Sequence, residues 1–442
     1  FAQVPGFVGW LCVVPQSRPR SRVLTMATLG APGGQPQPAT DDPELRDGPR
    51  CDLHSLRARD PALDSLCDEI QRSAATRAAA GFVDTPDMAA LRKALCEKSV
   101  LLTGSAGYLG AALHMTLQKL GVAVVGVDVV PGATVDEVVD VADPDAIKRC
   151  GQPCGAVFHC AALHAPHALS WHAREFEAAN VTGTANVLAL GLPTVHTSTT
   201  SLTITPRVKA REKAGELVWL DESAQRPERA GADAYDPPLD APRNKYGRTK
   251  AQGEQRCLAA ARDGAEVVIL RAPRFFPEDV IEETSLTLPN IKANELLGRR
   301  CALVDLIDAH LRALARVRDV RGAVFTLVAP WPLERHPGTS AHEVAALLRE
   351  RHPHAERLYA RHGWRLPDAI TRVYDSKAAI EALGWQPLVT FEALLRLMEQ
   401  REQEGLDEPA SLDEREQPRK QPKGPTACQR RGDFEEMLRG AY

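Results

Sequence analysis

The stretch "SVLLTGSAGYLGAALHMTLQKLGVAVVGVD", residues 99–128, constrains the fold more than any other part of this sequence. A short apolar run leads into a turn with three glycines, then a helical pattern closed by Gly121, then a second apolar run. That switch of periodicity spells strand, turn, helix, strand. Further apolar runs at 156–161, 194–199 and 266–272 alternate with helical stretches. Runs without polar alternation fit strands buried on both faces. The expectation is therefore an α/β fold, a doubly wound parallel sheet with a smaller C-terminal α/β domain for substrate. Such sheets bind ligands at the carboxyl ends of their strands.

The turn itself, "TGSAGYLG", carries Gly104, Gly107 and Gly110 between the first strand and its helix. Glycines there allow a tight turn and close approach to a pyrophosphate, and the helix N-terminus offers N–H groups to the anion. Asp128 ends the second strand, where a carboxylate accepts hydrogen bonds from an adenosine ribose and repels a 2'-phosphate. This pattern points to a Rossmann-type dinucleotide site for NAD rather than NADP. The alternative is a structural turn with a surface aspartate.

A chain of 442 residues, 44% apolar and 25% charged, is long enough for one large or two ordinary domains. The NAD-binding Rossmann domain is expected over 98–275 and a substrate-binding region, partly interleaved with it, over 276–402. Helices are expected near 305–317, 340–351, 376–382 and 391–402. Residues 1–50, rich in Gly, Pro, Gln and Arg, read as a disordered or targeting extension, and 51–97 as a helical N-terminal extension. Residues 403–442 read as a disordered charged tail. Residues 1–25 fit a targeting peptide or sequence ahead of a start at Met26. The expected location is the cytoplasm, with organellar targeting as the alternative.

A net charge of -4 without a strongly basic block gives no reason to expect nucleic acid or an anionic membrane as partner. No run of 18 apolar residues occurs, so no membrane-spanning helix is expected. Ten scattered cysteines suggest reduced thiols. Cys150, Cys154 and Cys160, with His164 or His167, would be the only metal candidates, but "CGAVFHCAALHAPH" reads better as a buried strand and its loop, so no metal is expected.

"NKYGRTKAQGE", residues 244–254, puts Tyr246 and Lys250 four positions apart on one helical face. Alone, the spacing is also that of an accidental surface pair. A phenol titrates near pH ~10, and bringing it to neutrality takes roughly three pH units, about 4 kcal/mol. One ammonium about 4 Å away, at an effective dielectric near 20, supplies about that much.

Taken in order, these motifs resemble the extended short-chain dehydrogenase/reductases, the NAD-dependent epimerase/dehydratase group, over about residues 98–400. "TGSAGYLG" is similar to that family's T-G-x-x-G-x-x-G turn, with Tyr108 and Leu109 between the glycines, and "FHCAALHAPH" to its H-x-A-A stretch. "NVTGTANVL", "HTSTTS", "YGRTKAQGE" and the closing "DSKAAIEALGWQP" follow as the family has them. The resemblance implies cofactor contacts from Gly104, Gly107, Tyr108, Leu109, Gly110, Asp128, Asp140, Val141, Ala161, Ala162, Asn180, Tyr246 and Lys250. It implies a catalytic Thr199, Tyr246 and Lys250, with Thr199 positioning the reacting oxygen and Tyr246 moving its proton. It also implies a homodimer through the helix of the Tyr-Lys pair.

Family dehydratases carry Asp-Glu after the catalytic threonine; Thr200 and Ser201 stand there, which disfavours dehydration. The expected activity is a nucleotide-sugar 4-epimerase resembling UDP-glucose 4-epimerases. The alternatives are an NAD(P)-dependent alcohol/carbonyl oxidoreductase and a non-enzymatic NAD-binding protein. "LRAPRFFPED" lacks the asparagine of the family's L-R-Y-F-N-P, residues 226–240 form an insertion that fits a lid, and the connection from Asn186 to His196 is short. Basic residues suit a phosphorylated substrate, with Arg274, Asn290 and Arg299 as candidate contacts beside His164.

Overall fold

A computed structural model of the chain describes Leu95, residues 98–165, His167, 171–222, Pro242, 244–275, Leu286, 288–335 and 338–405. The readings of residues 1–50, of 51–97 apart from Leu95, of the insertion at 226–240 and of the tail beyond 405 lie outside the described residues.

Seven parallel strands form the main sheet: β1 (Ser99–Thr103), β2 (Val124–Asp128), β3 (Glu137–Val138), β4 (Cys154–His159), β5 (Thr194–Thr199), β7 (Val267–Ala272) and β8 (Val324–Thr326). Their order across the sheet is β3-β2-β1-β4-β5-β7-β8. Alternate residues of each strand face opposite sides. Val100 and Leu102 of β1 join Phe158, Val195 and Leu270 in one core with helix α1 (Tyr108–Lys119) and helix α8 (Leu303–Ala315). Leu101, between them, joins Val127, Val157 and Ile147 on the other face, against helix α2 (Pro144–Gly151). This two-sided burial is why the strands read as uninterrupted apolar runs.

The return from β4 to β5 runs through α3 (Ala173–Glu177), a π-helical turn (Ala178–Thr182) and α4 (Gly183–Leu188). After β5 come a 3-10 turn (Thr200–Thr203), α5 (Pro206–Lys213), β6 (Val218–Leu220) and the long α6 (Lys245–Arg262). Asn244 caps α6, accepting from the Gly247 N–H at 2.8 Å.

The C-terminal part adds α7 (Leu288–Glu295), α9 (Ala341–Arg351), α10 (Ala355–Arg361), β9 (Arg372–Tyr374), α11 (Lys377–Leu383) and α12 (Phe391–Gln403). β6 pairs with β9 in a parallel two-stranded sheet, while β8 and α8 complete the main sheet. The two regions are thus interleaved in both directions: β6 precedes residue 276 yet serves the second sheet. Asp305 of α8 ties them together, accepting from Leu388 N at 2.8 Å and Val389 N at 3.0 Å, while its carbonyl accepts from Trp385 Nε1 at 2.9 Å.

No helix among the described residues is long and apolar enough to cross a membrane, and no group of three His, Cys, Asp or Glu among them is placed to hold a metal.

Candidate active site

Strand order reverses between β1 and β4, so the loops leaving their carboxyl ends part there and open a crevice. The glycine turn fills that position. Gly104 has φ +76, and a Cβ on it would stand 2.6 Å from Ala161 N, so the turn after β1 rests directly on the loop after β4. A Cβ on Gly110 would stand 2.0 Å from Gly104 O, which leaves no room for any side chain. Helix α1 starts with Gly107 as its cap, with no side-chain cap hydrogen bond and no acidic residue in the first turn. That terminus suits a phosphate.

Asp128 closes the edge of the turn: Oδ2 accepts from Ala106 N and Oδ1 from Val130 N, each at 3.1 Å. Leu109 is buried in the core, and Tyr108 stacks on Phe275 at 6.1 Å between ring centroids. Asp140 is exposed and accepts from Ala142 N, while Val141 is buried and its carbonyl accepts from Asn186 Nδ2. Ala161 and Ala162 are half-buried beside Gly104.

Asn180 lies in the π-helical turn, a feature frequent at functional sites. Its Oδ1 accepts from Leu163 N at 2.8 Å, and Nδ2 donates to Leu163 O at 2.9 Å and to Thr249 Oγ1 at 3.0 Å. Through these bonds the amide joins the 161–164 loop to α6, one residue before Lys250.

Thr199 ends β5, and its side chain is hydrogen-bonded to the half-buried Tyr246. Burial pushes the Tyr246 phenol up to about 12, with the Thr199 hydrogen bond pulling the other way. The depression by Lys250 expected from the i, i+4 spacing is absent, because the ammonium turns inward. Lys250 is 2% exposed, donates to Thr197 O at 2.7 Å and stands 3.3 Å from His196 Nε2. Burial lowers it to about 8, against the raising influence of Cys257, Glu254 and Cys160.

Beneath these residues lies a buried polar layer. Arg271 grips Glu254 through Nε (3.0 Å) and Nη2 (2.8 Å), and Ser198 Oγ donates to the same carboxylate at 2.6 Å. Thr197 Oγ1 is 2.9 Å from His310 Nε2 and 3.3 Å from Cys160 Sγ.

Beyond the carboxyl ends of β5 and β7, four arginines gather. Arg274 and Arg300 both pair with Glu295, and their backbones meet in a parallel β-bridge. Arg299 is lowered to about 10, first by burial and then by the charge of Arg372. Arg372 Nε stands 3.4 Å from Glu212 Oε1, its guanidinium lies 5.5 Å from the Tyr374 ring, and the Tyr374 hydroxyl donates to Thr200 O at 3.5 Å. Asn290 is not part of this cluster: its amide is spent on Arg365, accepting from the backbone N at 3.0 Å and donating to the O at 2.8 Å. His164 packs edge-on against His167, and its backbone N donates to His167 Nδ1 at 3.0 Å.

Residues 100–327, just over half of the chain, match the NAD dependent epimerase/dehydratase family. The chain belongs to that family. No curated protein matches it. Among solved structures, a short-chain dehydrogenase/reductase superfamily protein from Agrobacterium tumefaciens with bound NAD is 23% identical, covers 69% of this chain and 98% of its own, and has a TM-score of 0.46. A UDP-glucose 4-epimerase from Stenotrophomonas maltophila, with bound NAD and formylated UDP-arabinopyranose, is 18% identical over 70% of this chain and 98% of its own, with a TM-score of 0.45. A UDP-glucose 4-epimerase from Thermotoga maritima with UDP-glucose is 18% identical over 70% and 99%, with a TM-score of 0.42.

Three residues of this epimerase/dehydratase family member escaped the sequence reading: His196, Arg372 and Tyr374. Each sits in a strand, and β9 is only three residues long, too short for any periodicity to mark it. The signal for His196 was its place in "TVHTST", where an imidazole interrupts a strand otherwise read as buried.

Proposed function

We propose that this epimerase/dehydratase family enzyme binds NAD and acts as a nucleotide-sugar 4-epimerase. The observation that carries the reading is the convergence of Thr199, Tyr246 and Lys250 at the carboxyl end of β5, next to a glycine turn that leaves a helix N-terminus free of side-chain caps. In this reading the turn and the start of α1 hold the pyrophosphate, Asp128 the adenosine ribose, and Lys250 the nicotinamide ribose. Bound NAD supplies a reversible hydride acceptor. Thr199 fixes the reacting hydroxyl by a hydrogen bond, and Tyr246 Oη takes its proton and returns it. At about 12 the phenol holds its proton at neutrality, so its work as a base needs positive charge brought beside it, and Lys250 is the chain's own source.

Thr200 and Ser201 follow Thr199, so no carboxyl pair adjoins it to drive elimination of water, which favours epimerisation. Four guanidiniums around Glu295 and Glu212 carry excess positive charge, which suits a phosphorylated substrate. The same reading expects a homodimer through α6. The missing asparagine in "LRAPRFFPED" favours one second reading, an alcohol/carbonyl oxidoreductase acting on a small molecule that is not a UDP-sugar.

The test is the nucleotide content of purified, denatured protein, followed by UDP-glucose/UDP-galactose interconversion. Near-stoichiometric NAD and interconversion that disappears in Tyr246→Phe are expected. An exchangeable cofactor with net alcohol oxidation moves the assignment to the second reading. Failure to bind either NAD or NADP refutes both.

A further inference from the structure

The proposed chemistry leaves one buried group beside Lys250 without a task. His196 of β5 is 0% exposed, and its Nε2 stands 3.3 Å from Lys250 Nζ. Its neighbour His159, 5.1 Å away between ring centroids, is fully committed. Thr184 Oγ1 donates to Asn180 O at 2.8 Å, so it accepts from His159 Nε2–H at 3.0 Å. His159 Nδ1 therefore accepts from the Thr103 hydroxyl at 2.7 Å, and the ring is neutral with its proton on Nε2. His159 has nothing left to offer His196.

An ammonium only donates, so the His196 nitrogen facing it must accept, which puts the His196 proton on Nδ1. Among the described residues, Nδ1 has no hydrogen-bond partner. A buried donor left this way is costly, and the cost is incurred only in the tautomer that serves Lys250. Lys250 has three N–H bonds; Thr197 O takes one at 2.7 Å and His196 Nε2 a second, which leaves one for a ligand.

We propose that His196 is a positioning residue for Lys250: its neutral imidazole holds the ammonium against the wall of β5, so that a single N–H is aimed at the nicotinamide ribose. This rests on the NAD reading of the site. A neutral acceptor favours the charged form of the lysine. The other titratable groups around the ammonium are His159 at the end of β4, Cys160 just after it, and Glu254 and Cys257 from α6. Cys160 is pushed up to about 11 by burial and Cys257 is raised in the same way, so neither titrates near neutrality; Lys250 is the group of this set lowered to about 8.

The experiment is NAD binding by calorimetry from pH 6 to 9.5, on the full chain stripped of nucleotide, for wild type, His196→Phe, His196→Leu and His196→Gln. Circular dichroism checks folding, and the leucine variant stands in for phenylalanine if the larger ring does not pack. Wild type is expected to lose affinity as pH rises through the lysine's range. Removing the acceptor in His196→Phe is expected to weaken binding about tenfold and to move that midpoint down by about one pH unit, while His196→Gln, which keeps an acceptor, stays near wild type. Unchanged affinity and midpoint in the apolar variants overturn the proposal. So does an equal loss in all variants at an unshifted midpoint, which assigns His196 to packing alone. Absence of NAD binding by wild type is a different failure, since it removes the proposed function and this inference with it.

Discussion

Replacing Arg271 by methionine tests what holds the floor of the site. Arg271 is 0% and Glu254 4% exposed, and the pair is bidentate at 3.0 and 2.8 Å. With the guanidinium gone, the carboxylate keeps only the Ser198 hydroxyl, at 2.6 Å. A buried charge stripped of its partner costs about 3–5 kcal/mol, whereas removing both charges together is close to neutral. Arg271→Met is therefore expected to lose about 3–5 kcal/mol in urea unfolding followed by tryptophan fluorescence. The double variant Arg271→Met/Glu254→Gln is expected to recover most of it, so the coupling in the double-mutant cycle is at least about 3 kcal/mol. A loss below about 1 kcal/mol in the single variant, the value of a solvent-screened surface pair, refutes the reasoning. Additive single effects refute it as well, because the two residues would then not be acting as a pair.

Gly110→Ala puts a methyl 2.0 Å from Gly104 O, so the turn must shift and NAD affinity is expected to fall more than about tenfold in calorimetry. Gly121→Ala, at φ +76 with nothing within 4 Å, is expected to cost about 1 kcal/mol of stability and leave NAD binding intact. Tyr246→Phe is expected to bind NAD normally and to lose about 10²–10⁴-fold in turnover; retained turnover removes the proton-transfer role. Burial raises the Asp305 carboxyl to about 7, against the pull of the Leu388 and Val389 N–H groups. The folded chain then binds more protons than the unfolded one between about pH 4 and 7, so this group's contribution is present below about pH 4 and is lost as pH rises through 7. Urea midpoints at pH 5 and pH 8 should differ less in Asp305→Asn than in wild type.

Five of the seven strands of the main sheet, β1, β2, β4, β5 and β7, were legible because they announce themselves twice, whereas β3 and β8 are only two and three residues long. Leu101 and Leu102 face opposite cores, so both must be apolar, and the resulting run marks a strand without any need to know its neighbours. The same logic fails for β6 and β9. Three residues carry no period, and their pairing joins Val218 to Arg372 across a long separation in the chain. Partial interleaving of the two regions was expected, but that β6 crosses into the second sheet rests on this pairing, which nothing in the order of the chain announces.

Motifs give position along the chain, and chemistry depends on where side chains end. Helical spacing brought Tyr246 and Lys250 to one face, and the structure keeps them there. It does not decide which acceptor a four-carbon side chain will choose. Lys250 chose Thr197 O and His196, both on β5, because a buried ammonium must satisfy its donors on whatever the adjoining strand presents. Asn290 shows the same dependence on where a side chain ends. Its polarity and its place beside basic residues suggested a ligand contact, yet its amide is consumed by the backbone of Arg365, 75 residues away. Each hydrogen bond the amide makes to Arg365 is one fewer for a substrate. Arg299 and Arg372 have excess charge around them rather than a full set of partners, which makes them the stronger candidates for meeting an anion. Charge reversal at either, Arg299→Glu or Arg372→Glu, should therefore weaken binding of a phosphorylated substrate more than Asn290→Ala does.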